Sequence, residues 1–279
     1  MFPFHQKDTD GYFKEMWHKI NWVWRLIGTG IAFALFGLGG LAMTLFYFPL
    51  LSLIHGDPTR RAAAVQKSIH RCFRIYMWLI EFLGVLTVNV ENKENLKGIE
   101  GAVVIANHPS LLDTVILMSQ MDRAQCVVKH QLWNNFFLGG VMRAAGYIPN
   151  DEDPTKLIEN CAAALARGDN LIIFPEGTRT PPGQLLGKLQ RGAANVILSS
   201  RAPVLPVVVR CNHTTLSKGE PWYRIPPTKL EFDIHFTPLR NELQLSIGET
   251  DPHSLKTRKM TTVIKNLLEE LIVSERAIH

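Results

Sequence analysis

Cysteine is scarce in this chain of 279 residues: there are four, at positions 72, 126, 161 and 211, and none is in C-x-x-C spacing. Zinc and dithiol redox motifs are thereby excluded. A disulfide scaffold is unneeded in a chain long enough to bury a core, so reduced thiols and a cytoplasmic working domain are expected. No G-x-S-x-G elbow occurs, which removes the usual serine-hydrolase arrangement. Nucleic-acid recognition motifs are missing. The net charge of +5 is only mildly basic, so it suits anionic lipid or a polyanionic cofactor without requiring DNA or RNA. Internal repeats, low-complexity tracts and long linkers are missing too. With 46% hydrophobic and 20% charged residues the chain is no disordered tail, and 20 glycines with 16 prolines exclude a collagen-like composition.

The longest absence is of charge. Residues 26–54 contain no Lys, Arg, Asp, Glu or His. As one helix this run would extend about 43 Å, against a hydrocarbon core of about 30 Å. It is long enough to cross with tilt, or to break, since Gly37, Gly39 and Gly40 loosen its middle and Pro49 interrupts its end. It is too long for a secretory signal, and no small-x-small cleavage site follows. Trp17, Trp22 and Trp24, with Lys19 and Arg25, precede it at head-group level. Net charge is +1 before the run and +4 over residues 55–75. The positive-inside rule puts the C-terminal side in the cytoplasm; a monotopic insertion returning both ends to that side satisfies the same pattern. Residues 62–84 read as an interfacial helix, with Val65, Ile69, Cys72, Phe73, Tyr76, Leu79, Ile80 and Leu83 inward.

From residue 85 onward strand and helix patterns alternate. Strands are expected at 86–90, 102–106, 126–129, 147–149, 171–174, 204–209 and 230–236. Helices are expected at 111–120, 133–145, 154–167, 192–201 and 256–272, the last with Met260, Val263, Ile264, Leu267, Leu268, Leu271 and Ile272 inward. The fold class is α/β, a mixed and largely parallel sheet flanked by helices, with an N-terminal hydrophobic helical membrane anchor. The division is 1–84 for membrane-anchoring helices and 85–279 for the α/β domain.

The strand at 102–106 runs into Asn107-His108-Pro109-Ser110-Leu111-Leu112-Asp113. Loops at the carboxyl ends of strands are where α/β folds place function. A histidine there can take a proton near neutral pH, and one tight turn brings Asp113 back to fix its tautomer. With no clear nucleophile beside it, such a pair suits deprotonation of a substrate hydroxyl. A blander reading stands beside this one: Ser110-x-x-Asp113 is also a capping box, and His108 alone could be a satisfied loop histidine. No second His or Cys sits at metal-ligand spacing, so no metal is expected. A second motif, Phe174-Pro175-Glu176-Gly177-Thr178-Arg179-Thr180, follows a buried apolar run. Gly177 permits close backbone approach and Arg179 offers a fork for phosphate; a surface turn with a Glu–Arg pair is the alternative.

Together the motifs resemble the glycerolipid acyltransferase superfamily, typified by 1-acylglycerol-3-phosphate acyltransferases. There a histidine and an aspartate with four residues between them are followed, about 60 to 70 residues later, by Pro-Glu-Gly-Thr-Arg; His108 and Glu176 here are 68 apart. Similarity continues through residues 146–149, 188–193 and 202–207, and covers about 85–240. The resemblance implies His108 as general base and Asp113 as its partner. It implies Glu176, Gly177, Thr178 and Arg179 as binders of the acceptor's glycerol or phosphate, and Pro206 on the floor of the site. The acyl donor would be a thioester of coenzyme A or acyl carrier protein, used as substrate, with no other cofactor and no acyl-enzyme. Membrane lipids would be the partners, in phospholipid biosynthesis or remodelling, at the inner membrane in a bacterium. One departure is that Asn150, Asp151, Glu152 and Asp153 stand where many members carry a basic residue. Lys188, Arg191 and Arg143 would then hold the phosphate, or the acceptor would be another lysophospholipid, an amino-acid lipid or another amphiphilic alcohol; a solvated acidic loop outside the pocket is the alternative. Thioester or ester hydrolysis and non-catalytic lipid binding are the rival functions.

Overall fold

The computed structural model describes residues 6–150, 153–217, 219–241, 243, 247–248 and 250–278. Among them seven strands form one sheet: β1 (Leu86–Glu91), β2 (Val103–Ala106), β3 (Ala124–Lys129), β4 (Ile148–Asn150), β5 (Asn170–Ile173), β6 (Val204–Cys211) and β7 (Leu230–Phe236). Their order is β1-β7-β6-β2-β5-β3-β4. Every neighbouring pair is parallel except β6 with β7. Strand β2, buried along its whole length, lies centrally between β5 and β6. Its residues alternate between two cores, as the period of two demands. Val104 and Ala106 join one cluster; Val103 and Ile105 join the other.

The first cluster is covered by α3 (Pro58–Phe82), α4 (Asp113–Gln120) and α6 (Gly139–Ala144), through Val65, Ile69 and Ile80, Ile116 and Leu117, and Val141. The second is covered by α7 (Pro154–Ala166), α8 (Gly192–Ser200) and α9 (His253–Ile278), through Ala164, Ile197, Met260, Ile264 and Leu268. Burial on both faces explains why the strands read as apolar runs. On the α9 side His235 is held between Glu91 and Glu275, at 3.3 and 3.2 Å, which ties α9 to the sheet edge.

The N-terminal segment is one helical rod: α1 (Gln6–Ala42), a π-helical turn (Met43–Tyr47) and α2 (Phe48–Ile54). Within it, Tyr12–Ile54 is long and apolar enough to cross a membrane, and its side chains are mostly exposed. The rod is nevertheless fastened to the sheet domain. Trp24 Nε1 donates to the Leu83 carbonyl at 2.8 Å. The Arg25 guanidinium, 4% exposed, donates to the carbonyls of Pro226, Pro227 and Thr228. Tyr76 Oη donates to the Ala32 carbonyl at 3.2 Å. Ala32 and Phe48 belong to the same core cluster as the sheet. The helices on the N-terminal side of the turn before β1 thus share a core with the sheet.

Several local expectations are corrected. The helix expected over 133–145 is two pieces, α5 (His130–Trp133) and α6, because Asn135 Oδ1 accepts from the amides of Phe137 and Leu138 and breaks the ladder. The helix expected to end at 201 stops at Ser200, and Arg201 is left-handed at φ 52°. Helix α9 is longer than 256–272 at both ends. On α3, Cys72 faces out and Met77 faces in. Trp78 at the end of α3 is 61% exposed and stacks on Phe82.

Gly140 on α6 lies directly against Thr44 in the π-helical turn, so a Cβ there would collide with the threonine side chain. Gly140→Ala is expected to lower stability by about 1–3 kcal/mol through overpacking. Thr44→Ala in the same chain removes two of the three colliding atoms and should recover part of the loss, read as thermal unfolding in detergent.

Candidate active site

Three neighbouring parallel strands, β5, β2 and β6, release their chains at one end of the sheet, where functional loops of α/β folds lie. These three loops are cross-linked. Asn107, 5% exposed, exchanges two hydrogen bonds with β6: its Nδ2 donates to the Val209 carbonyl at 2.7 Å, and its Oδ1 accepts the Val209 amide at 2.8 Å. The side chain thus extends the β2–β6 ladder by one rung and fixes the departure of the following residue. The Thr180 amide donates to the His108 carbonyl at 2.7 Å. Arg179 Nη1 donates to the carbonyl of Leu216, which is left-handed at φ 50°.

His108 Nδ1 lies 2.8 Å from Asp113 Oδ2. The carboxylate is fully buried and the imidazole 15% exposed. The same Oδ2 accepts the Ser110 amide at 2.8 Å. Asp113 therefore does both jobs considered from the sequence, holding the ring and closing the turn into α4, which begins at this residue. With Nδ1–H donating to the carboxylate, the Nε2 lone pair is left for chemistry, and it has no hydrogen-bond partner among the described residues. The flat face of the ring stacks on Phe174, centroids 4.0 Å apart and planes 17° from parallel. Ring rotation is limited on one side by the aromatic face and at one nitrogen by the carboxylate.

Burial pushes the Asp113 carboxyl above its ordinary 3.8; the His108 and Ser110 N–H groups oppose that shift, and the nearby Glu176 charge adds to it. Its second oxygen, Oδ1, is buried with no partner among the described residues. An imidazolium forming beside such a carboxylate gains what water cannot give it there.

Of the residues expected at the acceptor side, Gly177 is exposed, left-handed at φ 65°, and presents its backbone. Thr178 and Arg179 are half-buried, and Lys188 and Arg191 are exposed on the chain leading into α8. Pro206 is buried on β6 opposite Ile105, three positions before His108, and its carbonyl accepts from Thr237. Glu176 is 2% exposed, and both of its oxygens are engaged inside the protein. Arg143 is exposed on α6, and its Nη1 donates to the Trp133 carbonyl at 2.8 Å. Of the acidic run, Asp153 caps α7, accepting the amides of Thr155 and Lys156; Asp151 and Glu152 lie outside the described residues. Asn212 Nδ2 donates to the Lys229 carbonyl, and its Oδ1 accepts the Glu231 amide. Asn107, Phe174 and Thr180 stand in the two motifs without an expected role of their own, and Gly187 stands outside both. Phe174 and Thr180 flank the Pro-Glu-Gly-Thr-Arg block directly, which is the signal that pointed to them.

Among the described residues, the group with converging metal-ligand atoms is Glu91, His235 and Glu275. It lies under α9, on the face of the sheet away from α4 and Asp113.

Residues 87–210 match the family model described as acyltransferase. The chain is 27% identical over 180 residues to the 1-acyl-sn-glycerol-3-phosphate acyltransferase of Cocos nucifera, covering 62% of this chain and 55% of that protein. It is 28% identical over 160 residues to the protein of the same name from Pseudomonas aeruginosa, covering 56% of this chain and 61% of that one. The chain thus matches less than two thirds of the length of either relative. In fold it is similar to the crystal structure of the 1-acyl-sn-glycerophosphate (LPA) acyltransferase PlsC from Thermotoga maritima, with a TM-score of 0.62, 20% identity, and coverage of 91% of this chain and 97% of that one.

The raised Asp113 value has a sign. Its favourable contribution to folding is complete below the ordinary 3.8 and is lost as pH rises through the higher native value. Asp113→Asn removes that loss. The wild-type protein should lose more stability than the variant between about pH 4 and about pH 7, and the variant should be at least as stable near neutrality, measured by urea unfolding at both values.

Proposed function

We propose that this chain, of which residues 87–210 match the acyltransferase family model, moves a fatty acyl group from an acyl thioester to the free hydroxyl of a lysophospholipid of the 1-acylglycerol-3-phosphate type. The observation that carries the reading is the His108–Asp113 pair at 2.8 Å, with its carboxylate buried and Nε2 left unpartnered. Nε2 takes the proton of the acceptor hydroxyl as that oxygen attacks the thioester carbonyl. Asp113 stabilises the imidazolium, as does the Phe174 ring beneath it. Collapse of the tetrahedral intermediate breaks the carbon–sulfur bond, and the imidazolium returns its proton to the departing thiolate. The products are a diacylated lipid and a free thiol, with no covalent acyl-enzyme. The donor is coenzyme A or acyl carrier protein in thioester form.

The acceptor phosphate is assigned to the Gly177 backbone and to the cations of Arg179, Lys188 and Arg191. The first offers close approach; the others supply charge on the same stretch of chain. The apolar rod Tyr12–Ile54 supports attachment to a membrane; because it is fastened to the sheet domain near both ends, it fits a monotopic insertion that keeps both basic flanks and the sheet domain on the cytoplasmic face. Exposed Trp17, Trp24, Trp78 and Phe82 are suited to the head-group region.

His108→Ala should lower transfer at least about 100-fold while leaving folding and membrane association intact. The measurement uses labelled lysolipid acceptors crossed with acyl-CoA and acyl carrier protein donors. Diacyl product from the wild-type chain supports transfer; free fatty acid in its place means hydrolysis, and activity unchanged in the variant refutes the base assignment.

A further inference from the structure

We infer that Glu176 and Thr180 are positioning residues that hold the main chain of His108, and that the Glu176 carboxylate does not contact the acceptor. This rests on the reading of His108 as the base. Glu176 Oε1 accepts the Thr180 hydroxyl at 2.7 Å and the His108 amide at 3.2 Å; Oε2 accepts the Gly187 amide at 2.7 Å. The group is 2% exposed. Gly187 is required there, because a Cβ at that position would press on Glu176 Oε2. The chain after the block is thus shaped around the carboxylate.

Thr180 completes the clamp. Its hydroxyl gives its hydrogen to Glu176 and so can accept the His108 amide, at 3.3 Å, while its own amide donates to the His108 carbonyl at 2.7 Å. Both main-chain polar atoms of His108 are held by this pair, and its side chain is held by Asp113 and Phe174. A substrate hydroxyl reaching Glu176 would have to displace buried, charge-assisted bonds for no gain. Loss of the clamp lets the His108 backbone shift, and a misplacement of about 1 Å costs about 100-fold in rate.

The test separates kcat from KM. Glu176→Gln keeps size and one acceptor oxygen, but its amide nitrogen must face either Gly187 N–H or the His108 and Thr180 donors. It should lower kcat about 100-fold, with the acceptor KM within about two-fold. Thr180→Val, an isostere without the hydroxyl, should lower kcat about ten-fold, and Thr180→Ser should recover most of that. Hydrogen–deuterium exchange over residues 107–112 should be about ten-fold faster in Glu176→Gln and Thr180→Val than in the wild type or Thr180→Ser. An acceptor KM that rises while kcat holds, or exchange that does not change, overturns the proposal. If Glu176→Gln does not fold, the Thr180 pair decides. If the wild-type chain shows no transfer at all, the functional reading fails, and the exchange data still decide whether the clamp exists.

Discussion

A carboxylate with no exposed surface, bonded to one imidazole nitrogen, is the constraint around which this molecule is arranged. Burial makes the charge costly and pushes the group's affinity for protons upward. The fold answers with two N–H donors on one oxygen and leaves the other without a partner among the described residues. The same seclusion makes the carboxylate effective, since a positive ring beside it is stabilised where water does not screen. Local stability has been given up where the chemistry occurs.

The surrounding structure transmits that constraint outward. Strand β2 is central and fully buried, so its end is among the least mobile points of the sheet. Asn107 adds one side-chain rung to the ladder before the chain turns into His108. The loop after β5 supplies a stacking face from Phe174 and hydrogen bonds from Thr180. The loop after β6 supplies the Leu216 carbonyl to Arg179. A site built from three loops is rigid here because each loop is bonded to its neighbour across the strand ends.

How far the sequence disclosed this depended on whether partners were near in the chain. His108 and Asp113 lie one tight turn apart, so their pairing was legible, as were the uncharged run at 26–54, the apolar run of β2 and the alternation in β7. The role of Glu176 was not, because its partners His108 and Gly187 are 68 and 11 positions away and a Glu-Gly-Thr-Arg turn reads equally well as a surface anion site. The break between α5 and α6 was hidden for another reason: the Asn135 side chain takes the amides of Phe137 and Leu138 from the helical ladder, which periodicity does not register. Nor does a run of acidic letters disclose its partners: Asp153, after β4, gives its carboxylate to two helix amides.

Arg25 sits one residue before the uncharged run and gives its guanidinium to three successive carbonyls at 226–228. These carbonyls lie in the connection between β6 and β7, the same connection that carries the Leu216 carbonyl bound by Arg179. In a membrane-attached chain, as proposed, a rod riveted at that point would set the height of the imidazole relative to the lipid plane and leave little freedom to swing. A single-chain lipid whose head lies in that plane would then offer its hydroxyl at a matching depth, so reach, as much as charge, would sort one acceptor from another.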